Sequence, residues 1–368
     1  MDDHIPVSRP HFYGQEGSYV ADALASTFIS GDGPFVDRME GLVAAAAGSR
    51  HAIAVANGTV ALDLALKALE VRPGDEIIVP DFAMFSPIGA VLRAGARPIP
   101  IDADATWNLD PAIIEAAITS KTRGIVMVHT YGCAANGPAL RRIADKHKLW
   151  LLEDAAEAMG GTFDGQLVGS FGDIATFSFY SNKVVTSGEG GAVVTNDDGL
   201  ASKMRQLRNL SFGSDWSSRF IHKEVGFNFR LSNILAAIGC AQLENLSLAV
   251  KAKQNVAAEY MRCLVDCRGL EFQPVSPSVI HTYWVFGVLL PEGVVRRHVA
   301  DTLLESNIET RPFFHPVHRQ PCLNQVVSGT FPVSNSIADR GFYLPSYVGL
   351  EPEKISRICE ALTQALGR

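Results

Sequence analysis

The sequence predicts an α/β protein in which a large domain, with a mostly parallel central sheet flanked by helices, precedes a smaller C-terminal α+β domain. Three observations predict it. From residue 50 to about 200, short apolar runs alternate with helical patterns, as strands joined by crossover helices do. After "GGAVVTND" the pattern becomes long and helical, and beyond about residue 250 strand-like and helical segments alternate again. The 368 residues, 47% of them hydrophobic, suffice to bury more than one core. The expected division is 1–250 and 251–368, with roughly the first 20 residues forming an arm outside either core.

Each element has a local reason. "VALDLALKALEV" has apolar positions at helical spacing and stops at the turn "RPGD"; "EIIVP" then reads as a buried strand and "ARPIPID" as another. In "LDPAIIEAAI", Asp110 is an N-cap and Pro111 takes the first helical position. "RGIVMVH" and "LWLLED" are strands on either side of the helix "PALRRIADKHK". "NILAAIGCAQLENLSLAVKAKQNVAAEYMRCLV" reads as a connecting helix or helix pair. In the C-terminal part, "HTYWVFGVLLP" and "IETRPFFHP" alternate with the helical "VVRRHVADTLLESN" and "EPEKISRICEALTQAL".

Composition removes several functional classes. A net charge of −7 supplies no field for nucleic acid or an anionic membrane, so any bound phosphate must be held by local geometry. The N-terminus lacks the basic and apolar regions of a signal peptide, which places the chain in the cytoplasm. Six cysteines without a CxxC pair fit buried or idle thiols better than disulfides or zinc ligands.

The chemistry concentrates at the ends of apolar runs, where open α/β sheets bind ligands. Lys183 lies between such a run and a glycine cluster in "TFSFYSNKVVTSGEGG", a costly place for an ammonium unless it is paired or loses its proton. Asp154 closes "LWLLED" and is either a site carboxylate or the cap of the next helix. Gly58 and Thr59 lead into a helix whose free amides can hold a phosphate, although Asn-Gly-Thr also makes an ordinary turn. Ser178 offers a hydroxyl to the same phosphate. "GEGG" follows its lysine and so fails the nucleoside-triphosphate loop pattern. A phosphate cradle, a strand-end carboxylate and a lysine beside glycines are together the groups that pyridoxal phosphate (PLP) requires.

The run "EDAAEAMGGTFDGQLVGSFGDIATFSFYSNKVVTSGEGGAVVTND" resembles the signature of the DegT-type sugar aminotransferases, which have the fold-type I aminotransferase architecture. "ANGTVALDLALKAL", "GDEIIVP", "VHTYG", "GFNFRLSNILAAIGCAQLENL", "HTYWVF" and "IETRPFFHPVH" extend the resemblance over nearly the whole chain. It implies Lys183 as the Schiff-base lysine, Asp154 on the pyridine nitrogen and Glu157 near the ring 3-hydroxyl. It further implies Gly58, Thr59 and Ser178 on the phosphate, Asn228 reaching the cofactor of a neighbouring subunit in a homodimer, and Met84 where the family has an aromatic residue on the ring. Phe82 or Phe85 is the alternative there. Lysine at 183, where the related sugar dehydratases carry histidine, implies transamination.

The implied substrates are L-glutamate as donor and a keto sugar nucleotide as acceptor, with "HTYW", "ETRP" and "PVH" closest to the branch that aminates C4 of GDP-4-keto-6-deoxymannose. Arg230 and Arg311 are candidates for the donor carboxylate or the diphosphate, because a guanidinium pairs with either oxyanion. His315 and His318 are read equally as sugar-facing or structural. Tyr283 and Trp284 are read first as structural residues of the small domain and second as substrate wall. Two rivals stand beside this reading: amination of another keto substrate (a different nucleotide hexose, a keto-octulosonate or a small phosphorylated ketone), and a PLP-binding regulator without turnover.

Overall fold

The structure, a computed structural model, describes residues 4–213, 215–323 and 329–367. The chain opens with α1 (Glu16–Ala25) and α2 (Pro34–Ala47), then lays down β1 (His51–Val55), α3 (Gly58–Ala68), β2 (Glu76–Pro80), α4 (Ser86–Arg93) and β3 (Arg97–Ile101). The short α5 (Pro111–Ile114), capped by Asp110 on the Ala112 amide at 2.9 Å as expected, leads to β4 (Thr122–Val128), α6 (Gly137–His147) and β5 (Trp150–Asp154). A hairpin follows, β6 (Thr162–Phe163) and β7 (Gln166–Leu167), turning at Asp164 and Gly165, both with positive φ as a type I′ turn demands. β8 (Ile174–Ser178), β9 (Gly191–Thr195) and α7 (Asp198–Arg208) complete this half.

Seven of these strands form one sheet in the order β1-β9-β8-β5-β4-β2-β3. Every pairing is parallel except those of β9, which runs against both β1 and β8. Strands such as "EIIVP" are apolar without alternation because helices cover both faces of the sheet. Their carboxyl ends gather on one edge, which carries the residues following Val55, Pro80, Val128, Asp154 and Ser178.

The expected helix pair is α8 (Asn233–Leu243) and α9 (Leu246–Cys263), bent by 63° at their junction. Among the described residues no single helix is long and apolar enough to cross a membrane. α9 runs unbroken through residue 250, where the sequence suggested a division. Beyond it, β10 (Glu271–Phe272), β11 (Val279–Ile280), β12 (Phe286–Leu289), α10 (Arg296–Glu305), β13 (Arg311–Pro312), α11 (Pro332–Arg340), β14 (Gly341–Leu344) and α12 (Pro352–Ala365) follow. An antiparallel sheet β10-β12-β14-β13 lies against α9, α10 and α12, while β11 pairs with β6 of the first half.

The N-terminal segment differs from the expected arm. Ile5 bridges Ile308 and is buried in the core of the second half, and the Val7 amide donates to Glu309 at 2.9 Å. Burying one isoleucine is worth about 2 kcal/mol, which favours docking over a free arm.

Candidate active site

β8 ends at Ser178, and the chain turns through Ser181, Asn182 and Lys183 before returning as β9. The turn is fixed by its backbone: the Lys183 amide donates to the Tyr180 carbonyl at 2.9 Å, and the Thr186 hydroxyl donates to the Phe179 carbonyl at 2.9 Å. Lys183 is half-buried, with its amine turned inward. Burial pushes that amine below its ordinary range, against the pull of Glu157 and then Asp154, which favour its charge.

Both carboxylates are buried on the neighbouring strand end. Burial raises the Asp154 carboxyl, and the Ala156 amide, donating to its Oδ1 at 3.1 Å, opposes the rise. One cationic donor at the other oxygen would complete this group, as a protonated pyridine nitrogen does. Burial pushes Glu157 up to about 7, opposed by Lys183 and by the Tyr131 amide, which donates to Oε2 at 2.7 Å. Beneath them, His129 accepts the Ala135 amide on Nδ1 at 2.9 Å, so Nε2 carries the proton that it donates to Glu153 at 2.8 Å. Glu153 also accepts the Phe171 amide at 3.0 Å, which locks the strand end that presents Asp154.

The phosphate candidates converge on the same edge. Asn57 caps α3 by accepting the Val60 amide at 3.0 Å, ahead of which lie Gly58 and Thr59. A Cβ on Gly58 would stand 2.8 Å from that of Ser178, so the first turn of α3 rests directly on the end of β8. The Thr59 hydroxyl is 3.4 Å from that of Ser86, a neighbour the sequence did not single out. A helix N-terminus, hydroxyls, a buried lysine and a partly satisfied carboxylate fit a phosphate-bearing, lysine-linked cofactor.

Met84 follows β2 and is 47% exposed on this edge. The two phenylalanines beside it lie deeper. Phe82 is fully buried against Tyr131 at 5.9 Å and Phe313 at 6.0 Å, and Phe85 packs into the cluster under α3 and α4.

The four residues expected on substrate each have a protein partner here. Arg230 bonds the Asn209 side chain, and Arg311 pairs with Glu309. His315 shares a hydrogen bond with the Arg319 carbonyl at 3.1 Å. His318 meets the fully buried Asp81 at 2.7 Å, and its amide donates to the same carboxylate at 2.9 Å. Asn228 is exposed.

Trp284 is buried in an apolar cluster, as its structural reading expects, but its contact with the lysine was not foreseen. Its ring lies under the Lys183 amine, 3.6 Å from Nζ to the ring centroid, and its Nε1 donates to the Asn182 carbonyl at 2.8 Å. Tyr131 was also missed. It holds a left-handed backbone with φ 59°, is fully buried, and packs between Phe313 at 4.8 Å and Phe314 at 4.9 Å. A non-glycine residue in this conformation at a site edge costs about 1 kcal/mol or more and persists only where its surroundings enforce it. The available signal was "YG" after a strand, since Gly132 admits the close approach of residues 282–284.

Known proteins resemble this chain over nearly its whole length. The chain is 40% identical over 366 residues to GDP-perosamine synthase of Caulobacter vibrioides, covering 98% of each, and 39% identical to that of Vibrio cholerae, covering 97% of this chain and 98% of the other. The structure of S. venezuelae DesV matches with a TM-score of 0.90 at 32% identity, over 98% of this chain and 99% of that one. With residues 13–363 matching the family model and Lys183, Asp154 and Glu157 converging at the strand ends, the chain belongs to the DegT/DnrJ/EryC1/StrS aminotransferase family.

Proposed function

We propose that this protein is a PLP-dependent aminotransferase that moves an amino group from L-glutamate to GDP-4-keto-6-deoxymannose, forming GDP-perosamine. The convergence of Lys183, Asp154 and Glu157, whose charges act on one another, carries the reaction type. Relatives named GDP-perosamine synthase, at 37–40% identity, support the sugar. When bound, PLP supplies an electron sink conjugated to the carbon that bears the amino group.

The residues would divide the work as follows. Gly58, Thr59 and Ser178 hold the phosphate. Asp154 keeps the ring nitrogen charged, and Glu157 stands at the 3-hydroxyl. Lys183 Nζ takes a proton from the α-carbon of the donor and, in the second half-reaction, delivers one to C4 of the sugar. A base must be neutral to begin, and the depressed basicity of the buried amine serves that need. Met84 packs its thioether on the cofactor ring. Arg230, Arg311, His315 and His318 exchange their present partners for substrate oxygens.

In this reading residues 1–250 and 251–368 are the large and small domains, joined through α9, and the enzyme works in the cytoplasm for polysaccharide biosynthesis. It is a homodimer: Trp216, Phe220, Ile221 and Val225 are exposed in the loop beside Asn228, an apolar group that a second copy would cover. Incubation with L-glutamate and GDP-4-keto-6-deoxymannose should yield GDP-perosamine by mass spectrometry, and Lys183→Ala should abolish it. Amination of a UDP-linked or non-nucleotide ketone in preference would refute the sugar; turnover by the alanine variant would refute the lysine.

A further inference from the structure

We propose that Trp284 is a positioning residue for Lys183: its indole face holds the freed amine once that amine has taken up a proton, keeping it within reach of the carbon that receives the proton next. This rests on the reading of Lys183 as the catalytic lysine.

A lysine that acts as both covalent anchor and base faces a physical difficulty. Once displaced, its four-carbon stem regains rotamer freedom, and the amine must return to one place for each proton transfer. Trp284 meets that difficulty here. Nζ lies 3.6 Å from the ring centroid, within the range at which an aromatic face attracts an ammonium. The contact is largely shielded from solvent: Trp284 is 6% exposed and Lys183 is half-buried, both on the wall of one small cavity.

The ring cannot drift. Its Nε1 donates to the carbonyl of Asn182, the residue before the lysine, so indole and lysine turn are tied together at 2.8 Å. Phe314 stacks at 6.4 Å and Tyr131 stands at 6.3 Å. Behind it, Gly132 lets the Trp284 backbone approach the end of β4 more closely than any side chain would allow. The ionisable groups facing the amine are Glu157 and Asp154, and Tyr131 is the ionisable group packed against the indole. Burial holds the Tyr131 phenol well above its ordinary range, so it stays neutral. An ammonium is therefore favoured by the two carboxylates and the ring face and opposed by burial.

The test compares Trp284→Leu, which removes the aromatic face, with Trp284→Phe, which keeps one. Cofactor-free full-length protein is labelled with trace acetic anhydride across a pH series, and the Lys183 peptide is quantified by mass spectrometry. The leucine variant should lower the apparent pKa of Lys183 by about one unit, the shift expected on losing a desolvated cation–π contact. The phenylalanine variant should restore most of it. In the loaded enzyme, leucine should reduce kcat by about tenfold with KM for both substrates nearly unchanged, since the lost element is orientation. Trp284→Met supplies a second non-aromatic replacement if leucine prevents folding. Equal Lys183 pKa values in wild-type, non-aromatic and phenylalanine proteins would overturn the proposal, as would a rise in KM without loss of kcat. Borohydride reduction separates the two layers. An adduct at a residue other than Lys183 overturns the catalytic reading, whereas an adduct at Lys183 with unchanged labelling overturns the role of Trp284 alone.

Discussion

Replacing Gly132 by alanine tests whether the close approach of two chain segments builds the site. Gly132 has φ +100°, and a Cβ there would lie 2.4 Å from the Thr282 hydroxyl, 2.9 Å from the Trp284 amide nitrogen and 3.1 Å from that of Tyr283. Two of these contacts are backbone and cannot rotate away. The left-handed conformation costs an L-residue about 1–2 kcal/mol, and overpacking at a fixed contact adds about 1–3 kcal/mol, so the variant should lose about 2–5 kcal/mol. Gly165→Ala is the control. Its φ is +77°, yet nothing lies within 4 Å of its added Cβ, so it bears only the conformational cost. Urea denaturation followed by circular dichroism at fixed protein concentration should place Gly132→Ala below Gly165→Ala by about 1–3 kcal/mol. Equal midpoints would refute the claim that this approach is obligatory. Because the displaced strand entry carries Trp284, Gly132→Ala should also weaken its contact with Lys183.

Asp154→Asn tests the role proposed for Asp154 at the ring nitrogen and should slow the glutamate half-reaction by about a hundredfold or more in stopped-flow absorbance; an unchanged rate would remove Asp154 from the mechanism. Lys253, buried with its amine against the Ser346 hydroxyl at 2.6 Å, is pushed down to about 7 from 10.5 by burial. Between those values the folded chain binds fewer protons than the unfolded one, so this group makes stability rise with pH by about 1.4 kcal/mol per unit. Lys253→Met should lack that slope, and denaturation curves for wild type and variant that stay parallel from pH 7.5 to 9.5 would contradict the assignment. Asn228→Ala should loosen cofactor retention in ultrafiltration while leaving the melting temperature within about 2 °C. Restoration of retention in mixed dimers with Lys183→Ala would show that Asn228 acts across the subunit boundary.

The parallel sheet was legible because its strands are buried on both faces and therefore appear as continuous apolar runs bounded by turns. Asp110 and Pro111 were legible because a cap acts within a few residues of itself. Lys183 and Asp154 were legible only jointly, through the ordered motifs around them. What escaped the sequence depends on contacts between distant segments. "HIPVSRP" carries no strand periodicity and two prolines, so nothing in it announces that Ile5 seals the second core beside Ile308. Phe82 and Met84 differ by two positions in one loop, yet the first is buried against Tyr131 and the second is exposed at the site. Trp284 reads as small-domain core, but it packs with Phe82, Trp107 and Tyr131 of the first half as well as Phe313 of the second, and only folding places the Lys183 amine on its face.

Burial and depressed basicity do not by themselves identify the reactive lysine, because Lys183 and Lys253 share both. Their surroundings separate them. Lys253 is held by the hydroxyl and carbonyl of Ser346, with burial as the only cause of its shift, and its position on α9 fits a structural tie to the segment after β14. Lys183 feels the charge of two carboxylates and has an aromatic face under its amine, and glycine and serine at the adjoining strand end lie where a phosphate would bind. Two carboxylates beside one amine allow the charge to be redistributed as a proton moves. A carbonyl and a hydroxyl can only hold the amine in place, so burial makes a structural pin of Lys253 and, in the mechanism proposed above, a poised base of Lys183.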